Sequence, residues 1–360
     1  MKKYHDLGTA ENIAPLNALG GLPTRNLSQA QFEAAEQISG ESFAEHFLGR
    51  RLACAHCPVA CVHIAALREP HPEEPYFYKT SMIGYDYEPI YAVGSMLGLT
   101  DPAAILKLID RIEALGLDVM SAGVALAWAT EALGRGLISE QETDGLALAW
   151  NDCPTYLEAA RQIVEQPNEF YQCLARGVDS AADRYGGADY ALAFGHNEMS
   201  GYHTGPAAHL GVLMGARHSH LDNAGYSVDQ KRLVKERLEP RELVRTLLDE
   251  ERWRQVLSSL VVCFFARGVY DPKTVASALR LAGFDLDAAG LDALGEAIHR
   301  RKYEFKIREG FSPDELRIPQ RIFQTASLVD DWGESYLRNA LGCLREEIFG
   351  TPDQVTPQAP

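Results

Sequence analysis

The sequence has few positive charges and no long hydrophobic run. Its 360 residues contain 34 Lys and Arg against 50 Asp and Glu, which gives a net charge of −16 at pH 7. An acidic chain is a poor sequence-independent ligand for nucleic acid, because such binding needs a basic surface. No apolar stretch approaches the roughly 18 residues that a membrane helix needs. We therefore expect a globular protein that binds neither nucleic acid nor membrane.

Two common sequence signals are also missing. Residues 1–7 carry two lysines with no apolar segment behind them, so we expect no secretory signal and a cytoplasmic protein. Glycine pairs such as Gly134 and Gly136 do not follow a predicted strand, which argues against a Rossmann nucleotide-binding loop.

The patterning is mainly helical. Asp101 and Pro102 begin one helix with a capping side chain and a proline at its first position. Leu106, Ile109 and Ile112 then recur at the spacing of a buried helix face. Further helices are predicted over 118–133, 155–165, 169–185, 241–266, 273–282 and 287–301. Strands are few, with a short hairpin expected within 75–87.

The length suggests about two domains. Gly186 and Gly187 provide the clearest boundary, so we predict one helical domain over 1–186 and a second over 187–349. The stretch 195–226 holds five histidines and reads as a loop, the kind of segment in which active sites tend to lie. Residues 350–360, rich in Pro, Gln and Thr, are expected to form a disordered tail.

Three of the seven cysteines stand close together, as Cys54, Cys57 and Cys61 in a C-x2-C-x3-C run. The odd number of cysteines and the missing signal argue against a disulfide framework. Thiolates are soft ligands for iron–sulfur clusters and zinc. The spacing favours a 4Fe-4S cluster over zinc, for which His56 and His63 could complete a local site. Chance clustering is a third interpretation.

Short motifs are spread over about residues 7 to 321. They read GT at 8–9, LPTRN at 22–26, ISGE at 38–41, the cysteine run, DYE at 86–88, GS at 94–95, LGLD at 115–118, GARH at 215–218 and REGF at 308–311. Together they resemble the aldehyde ferredoxin oxidoreductases, a family of tungsten-pterin enzymes. The resemblance implies a mainly α fold with two helical domains, the family's domains 2 and 3. It also implies that the N-terminal, β-rich domain that cradles the cofactor is missing from this chain.

The resemblance identifies the clustered cysteines as three ligands of a 4Fe-4S cluster and Cys263 as the fourth. In the family this last cysteine belongs to a D-x-x-G-x-C motif, whereas here Ser258 and Val261 replace the aspartate and the glycine. The alternative for Cys263 is a small apolar side chain on a buried helix.

The resemblance also implies residues that hold the pterin. The family's D-x-x-G-x-D pair corresponds to Glu113, Gly116 and Asp118, whose carboxylates would accept the adjacent N–H groups of the pterin. His220 and Val262 would contribute to the same cofactor site. The alternative for the two carboxylates is a role at helix ends, Glu113 in a last turn and Asp118 as an N-cap.

Two further residues are implied for the chemistry. Glu88 corresponds to a base near the metal, and His218 to a group that hydrogen-bonds the carbonyl oxygen of the substrate. The resemblance thus implies an oxidoreductase that converts an aldehyde to a carboxylic acid at a tungsten or molybdenum bis-pterin. Electrons would pass through the 4Fe-4S cluster to ferredoxin or a similar carrier.

The missing domain leaves the functional class open. A separate polypeptide would supply the N-terminal cofactor domain, and a homo-oligomer is compatible with the sequence. One alternative is a non-catalytic iron–sulfur subunit for electron transfer or scaffolding. Others are a truncated, inactive fragment and a zinc-stabilised helical module.

Overall fold

A computed structural model describes residues 1–349 and shows a mainly helical protein, as predicted. The helices are α1 (Lys2–Leu7), α2 (Ile13–Ala18), α3 (Gly40–His46), α4 (Tyr87–Val93), α5 (Pro102–Ala114), α6 (Val119–Gly134), α7 (Cys153–Glu165), α8 (Glu169–Leu174), α9 (Val178–Tyr185), α10 (Pro206–Met214), α11 (His220–Asn223), α12 (Gly225–Val228), α13 (Pro240–Ser259), α14 (Pro272–Leu281), α15 (Ala288–Arg308), α16 (Arg321–Gln324) and α17 (Glu334–Phe349). The strands are β1 (Leu48–Leu52), β2 (Val62–Pro70), β3 (Tyr78–Tyr85), β4 (Ala193–Phe194) and β5 (Asn197–Glu198). The predicted tail, 350–360, lies outside the described residues.

The chain forms two compact units. Unit 1 comprises Met1–Thr204 and Arg317–Asp330, and unit 2 comprises Gly205–Leu316 and the chain from Asp331 onward. The glycine pair at 186 and 187, where we predicted a boundary, lies within unit 1.

Helix α6 forms the centre of unit 1. It is buried along most of its length and packs against α4, α5, α7 and α9. Asp118 begins the helix by accepting the N–H of Ser121 at 2.8 Å. At Gly123 a Cβ atom would lie 2.3 Å from the carbonyl oxygen of Ala92, so only glycine permits this approach of α4 to α6.

Unit 1 also contains an antiparallel sheet in the order β1-β2-β3. Strand β2 pairs with β3 from His63, opposite Tyr85, to Pro70, opposite Tyr78. The predicted hairpin segment therefore supplies β3, whose partner is the preceding strand. The connection from β1 to β2, residues 53–61, contains the cysteine run.

Helix α13 forms the core of unit 2, where it packs against α10, α11, α15 and α17. Leu243, Leu247 and Leu257 are among its buried side chains. A Cβ atom at Gly295 would lie 2.5 Å from the carbonyl oxygen of Arg252, so this glycine permits the close packing of α15 on α13.

Three of the predicted segments were wrong in their extent. The helix predicted over 241–266 ends at Ser259, where Val261 takes the left-handed backbone conformation with φ of 57°. The helix predicted over 169–185 is divided into α8 and α9 at Gly177, whose φ is 107°. The stretch 195–226, predicted as a loop, contains α10 to α12.

No single helix within residues 1–349 is long and apolar enough to cross a membrane. The segments Tyr87–Leu97 and Pro102–Ala114 reach the required length only as a pair, which is bent by 113°.

Candidate functional site

The three clustered cysteines lie on a surface loop of unit 1. Cys54 is exposed, and Cys57 and Cys61 are partly exposed. Left-handed backbone at His56 and Ala60 closes the turns of the loop. The N–H of Val59 donates to Cys57 Sγ at 3.4 Å. The loop therefore offers accessible thiols, one of which already accepts a backbone hydrogen bond of the kind that stabilises cluster sulfurs.

Cys263 has a similar local environment in unit 2. It is exposed, because α13 has ended four residues before it, and its Sγ accepts the N–H of Phe265 at 3.4 Å. The alternative of a small apolar residue on a buried helix is therefore wrong. Val262, the predicted cofactor contact, is half-buried in the same loop.

The donor chemistry of these cysteines fits an iron–sulfur cluster. Among residues 1–349 no cysteine is in a disulfide, and no group of three or more His, Cys, Asp or Glu side chains lies close enough together to hold a metal ion. The accessible thiols and the N–H···S bonds are the features that a cluster uses. Cys153 differs, since it is buried and the pKa of its thiol is raised by that burial to about 11, whereas Cys173 and Cys343 are partly exposed.

The predicted base, Glu88, lies in the first turn of α4. The hydroxyl of Tyr202 donates to its Oε1 at 2.7 Å. Asp86, at the N-cap position of the same helix, is reached by solvent, yet the surrounding protein desolvates its carboxyl group. This desolvation of an otherwise exposed side chain, together with the charges of Glu88 and Glu113, raises the pKa of Asp86 to about 7.

Sequence reasoning missed Asp86 as a functional residue. The signal was available, because Asp86 stands two residues before Glu88 in the DYE motif. The structure groups the two carboxylates electrostatically with Glu113, the exposed pterin candidate on α5.

The other pterin candidates of unit 1 border a cleft. Gly116, with φ of 75°, and Asp118 line a cavity of about 290 Å³. Glu198 lies on the same cavity and accepts the Ser121 hydroxyl at 2.9 Å. One carboxylate oxygen of Asp118 caps α6 through Ser121, as its alternative role predicted. Because a carboxylate has about four lone-pair sites, this cap leaves Asp118 able to accept further N–H groups.

His218 lies in the turn between α10 and α11 of unit 2. The ring is buried, its Nδ1 is 2.9 Å from the carbonyl oxygen of Val212, and its Nε2 is 3.0 Å from Lys306 Nζ. His220 begins α11, where its buried ring packs against Tyr226 at a centroid distance of 6.3 Å.

Two buried carboxylates hold the turn that carries His218. Glu251 accepts the N–H of Ala216 at 2.8 Å and an amide hydrogen of Asn223 at 3.1 Å. Asp222 accepts the N–H of Arg217 at 2.8 Å and its guanidinium at 2.7 Å. Both carboxylates are fully buried, and these hydrogen bonds offset the cost of removing the two charges from water.

Sequence reasoning also missed Lys306, on the last turn of α15. A lysine on a polar helix gives no signal by itself. The available signal was the position of Lys306 shortly before the REGF motif. Phe311 of this motif contacts both His218 and Lys306: its ring centroid is 5.4 Å from that of His218 and 3.8 Å from Lys306 Nζ.

Comparison with known proteins agrees with the motifs. The chain is similar to the tungsten-containing aldehyde ferredoxin oxidoreductase of Pyrococcus abyssi, at 25% identity over 338 residues. It is also similar to the aliphatic sulfonate oxidoreductase, WOR-like subunit, of Pyrococcus furiosus, at 31% identity over 162 residues. The first match covers 88% of this chain and 52% of the relative, and the second covers 44% and 24%. The chain thus spans about half the length of the first relative.

A solved structure shows the same fold. It is described as the active-site complex BamBC of benzoyl coenzyme A reductase in complex with 1,5-dienoyl-CoA, and it matches with a TM-score of 0.67 at 16% identity. The match covers 96% of this chain and 56% of that one. Residues 1–338 match the family described as aldehyde ferredoxin oxidoreductase, domains 2 and 3. The chain therefore belongs to the aldehyde ferredoxin oxidoreductase family and corresponds to its C-terminal, helical portion.

Proposed function

We propose that this chain is the cluster-bearing portion of a tungsten- or molybdenum-pterin enzyme that oxidises an aldehyde to a carboxylic acid. The observation that carries the proposal is the position of the four predicted cluster ligands on two loops. Cys54, Cys57 and Cys61 lie on one surface loop and Cys263 on another, and in each loop a sulfur accepts a backbone N–H. A structural cysteine is normally buried and needs neither feature.

These four cysteines would hold the 4Fe-4S cluster. Glu113, Gly116 and Asp118, with His220 and Val262, are the residues we assign to the pterin. When bound, the metal and cluster supply the two-electron oxidation and the onward transfer of electrons to ferredoxin or a similar carrier.

The carboxylates of unit 1 supply the proton chemistry. Oxidation of an aldehyde and one water to a carboxylic acid releases two electrons and two protons. Glu88, oriented by Tyr202, is the base that takes a proton from the reacting water or hydrate. Asp86, whose pKa is about 7, is suited to receive that proton near neutral pH and to release it to solvent.

The enzyme we propose is completed by a partner. The match covers 52% of the first relative, and the second relative is described as a subunit. We propose that an N-terminal cofactor domain of the family contributes the remaining contacts to the pterin.

Metal analysis tests the proposal. The chain is purified without oxygen, alone and co-expressed with a candidate N-terminal domain, and its iron, sulfide, zinc and tungsten are measured with the visible absorbance. We expect about four irons per chain. Replacement of Cys263 by Ser should abolish the iron and the absorbance, whereas Cys343→Ser, on α17, should leave both unchanged. Zinc without iron, or equal effects of the two variants, would contradict the cluster assignment.

The co-expressed sample separates the functional alternatives. Tungsten or molybdenum together with aldehyde oxidation supports the enzyme. A cluster with no pterin metal identifies an electron-transfer or scaffold subunit, and a chain with neither is an inactive fragment.

A further inference from the structure

The side chain of Lys306 is partly buried within unit 2. Its Nζ is 3.0 Å from His218 Nε2 and 3.2 Å from the carbonyl oxygen of Gly215. The rings of Phe311 and Tyr303 cover it, with centroids 3.8 and 4.9 Å from Nζ. Aromatic faces stabilise a cation in such a position. The ammonium is therefore held against the histidine.

The partners of His218 determine which ring nitrogen carries hydrogen. Nδ1 lies 2.9 Å from the carbonyl oxygen of Val212, which only accepts, so Nδ1 must donate. An ammonium only donates, so Nε2 must accept from Lys306. The contacts therefore require a neutral ring with its hydrogen on Nδ1.

We infer that Lys306 is a positioning residue that holds His218 in the Nδ1–H tautomer, so that the proton donor of the pair is the lysine and not the imidazole. An ammonium has three N–H groups, and the contacts to His218 and Gly215 use two of them. Under the proposed function, on which this consequence rests, the hydrogen bond to the substrate oxygen comes from the Lys306 ammonium.

The charges around the lysine keep it protonated at neutral pH. Burial lowers the pKa of Lys306 to about 8, against the opposing effect of the nearby carboxylates Glu251 and Asp222. Both carboxylates accept hydrogen bonds from the turn of His218. The pair therefore carries one positive charge at pH 7, and this charge is located on Nζ.

Nitrogen NMR of the chain labelled with ¹⁵N-histidine tests the inference without any cofactor. The His218 signals are assigned by their loss in His218→Gln. At pH 7 the wild-type ring should show a protonated Nδ1 and an unprotonated Nε2. A protonated Nε2, alone or together with Nδ1, would overturn the inference.

The variants test the cause. Lys306→Met removes the donor, so Nε2 should gain a population that carries the hydrogen. The matched control is Lys302→Met, one turn earlier on α15, whose half-buried lysine contacts Gln255 instead and should leave the His218 signals unchanged. Equal spectra for wild type and Lys306→Met would show that Lys306 does not set the tautomer, and the wild-type spectrum decides the matter if that variant fails to fold. Since none of these spectra depends on aldehyde oxidation, failure of the proposed function is observed separately.

Discussion

The buried carboxylates of unit 2 differ from the carboxylates around Glu88 in unit 1. Glu251 and Asp222 are fully buried, and each accepts at least two hydrogen bonds. Asp86 instead lies near the like charges of Glu88 and Glu113, and within residues 1–349 no donor to its carboxylate is found. Donors stabilise the charged form, whereas burial and like charge favour the neutral one. The first environment produces a structural carboxylate, and the second a carboxylate that exchanges protons near neutral pH.

The largest effect is expected when one of the buried, hydrogen-bonded carboxylates of unit 2 is removed. Glu251→Ala would leave the Ala216 N–H and the Asn223 amide buried without their acceptor. We expect a loss of about 3 kcal/mol in the free energy of unfolding, measured by urea denaturation. Glu113→Ala, at an exposed position, should change it by less than about 0.5 kcal/mol. Equal losses would mean that the donors around Glu251 do not depend on it.

A smaller effect on the free energy of unfolding is expected for Asp86, the carboxylate without hydrogen-bond donors among residues 1–349, and this effect should depend on pH. Because the pKa of Asp86 is raised from 3.8 to about 7, the folded state binds more protons than the unfolded state between these values. The stability supplied by the protonated carboxyl is therefore present below pH 4 and is lost as the pH rises to 7.

Asp86→Asn should abolish this loss. Between pH 4.5 and 7.5 we expect the wild type to lose on the order of 1 kcal/mol relative to the variant, a value reduced because solvent reaches the side chain. Asp118→Asn, which keeps a good capping side chain, should follow the wild-type pH dependence. Parallel curves for wild type and Asp86→Asn would remove Asp86 from the proposed proton path.

The smallest effect concerns the hydroxyl that contacts Glu88. Tyr202→Phe deletes one donor to Oε1 but keeps the ring, which packs on Tyr87 at a centroid distance of 4.9 Å. We expect a loss of about 1 kcal/mol or less in unfolding free energy. A loss of unfolding free energy comparable with that of Glu251→Ala would show that Glu88 depends on its donor as strongly as Glu251 does.

Local signals predicted the parts of the fold that local chemistry determines. Asp101 with Pro102, and Asp118, begin α5 and α6 as expected, because a capping side chain and the N–H groups that it satisfies are only two or three residues apart. The C-x2-C-x3-C run is likewise a local pattern, and its three cysteines lie on one loop.

Tertiary interactions determine the parts that could not be predicted. Helix α10 begins after a glycine that provides no side-chain cap, and the carboxylate of Asp229, more than twenty residues later, accepts the N–H groups of Ala207 and Ala208. The pairing of His218 with Lys306 spans a larger gap in the sequence, of 88 residues. Neither pairing leaves a periodic trace in the sequence, so such contacts are visible only after folding.

The return of the chain to unit 1 after residue 316 has a consequence for synthesis. Arg321 donates to the carbonyl oxygen of Asn26 and to the carboxylate of Glu131, and the hydroxyl of Thr325 donates to the carbonyl oxygen of Leu27. These acceptors precede the residues that donate to them by 190 to 298 positions in the sequence. During translation, at roughly 5–20 residues per second, unit 1 therefore lacks these three hydrogen bonds for on the order of ten seconds or more. Unit 2 includes α17, which follows this returning segment in the sequence, so neither unit is able to complete its fold before the C-terminal part of the chain has been made.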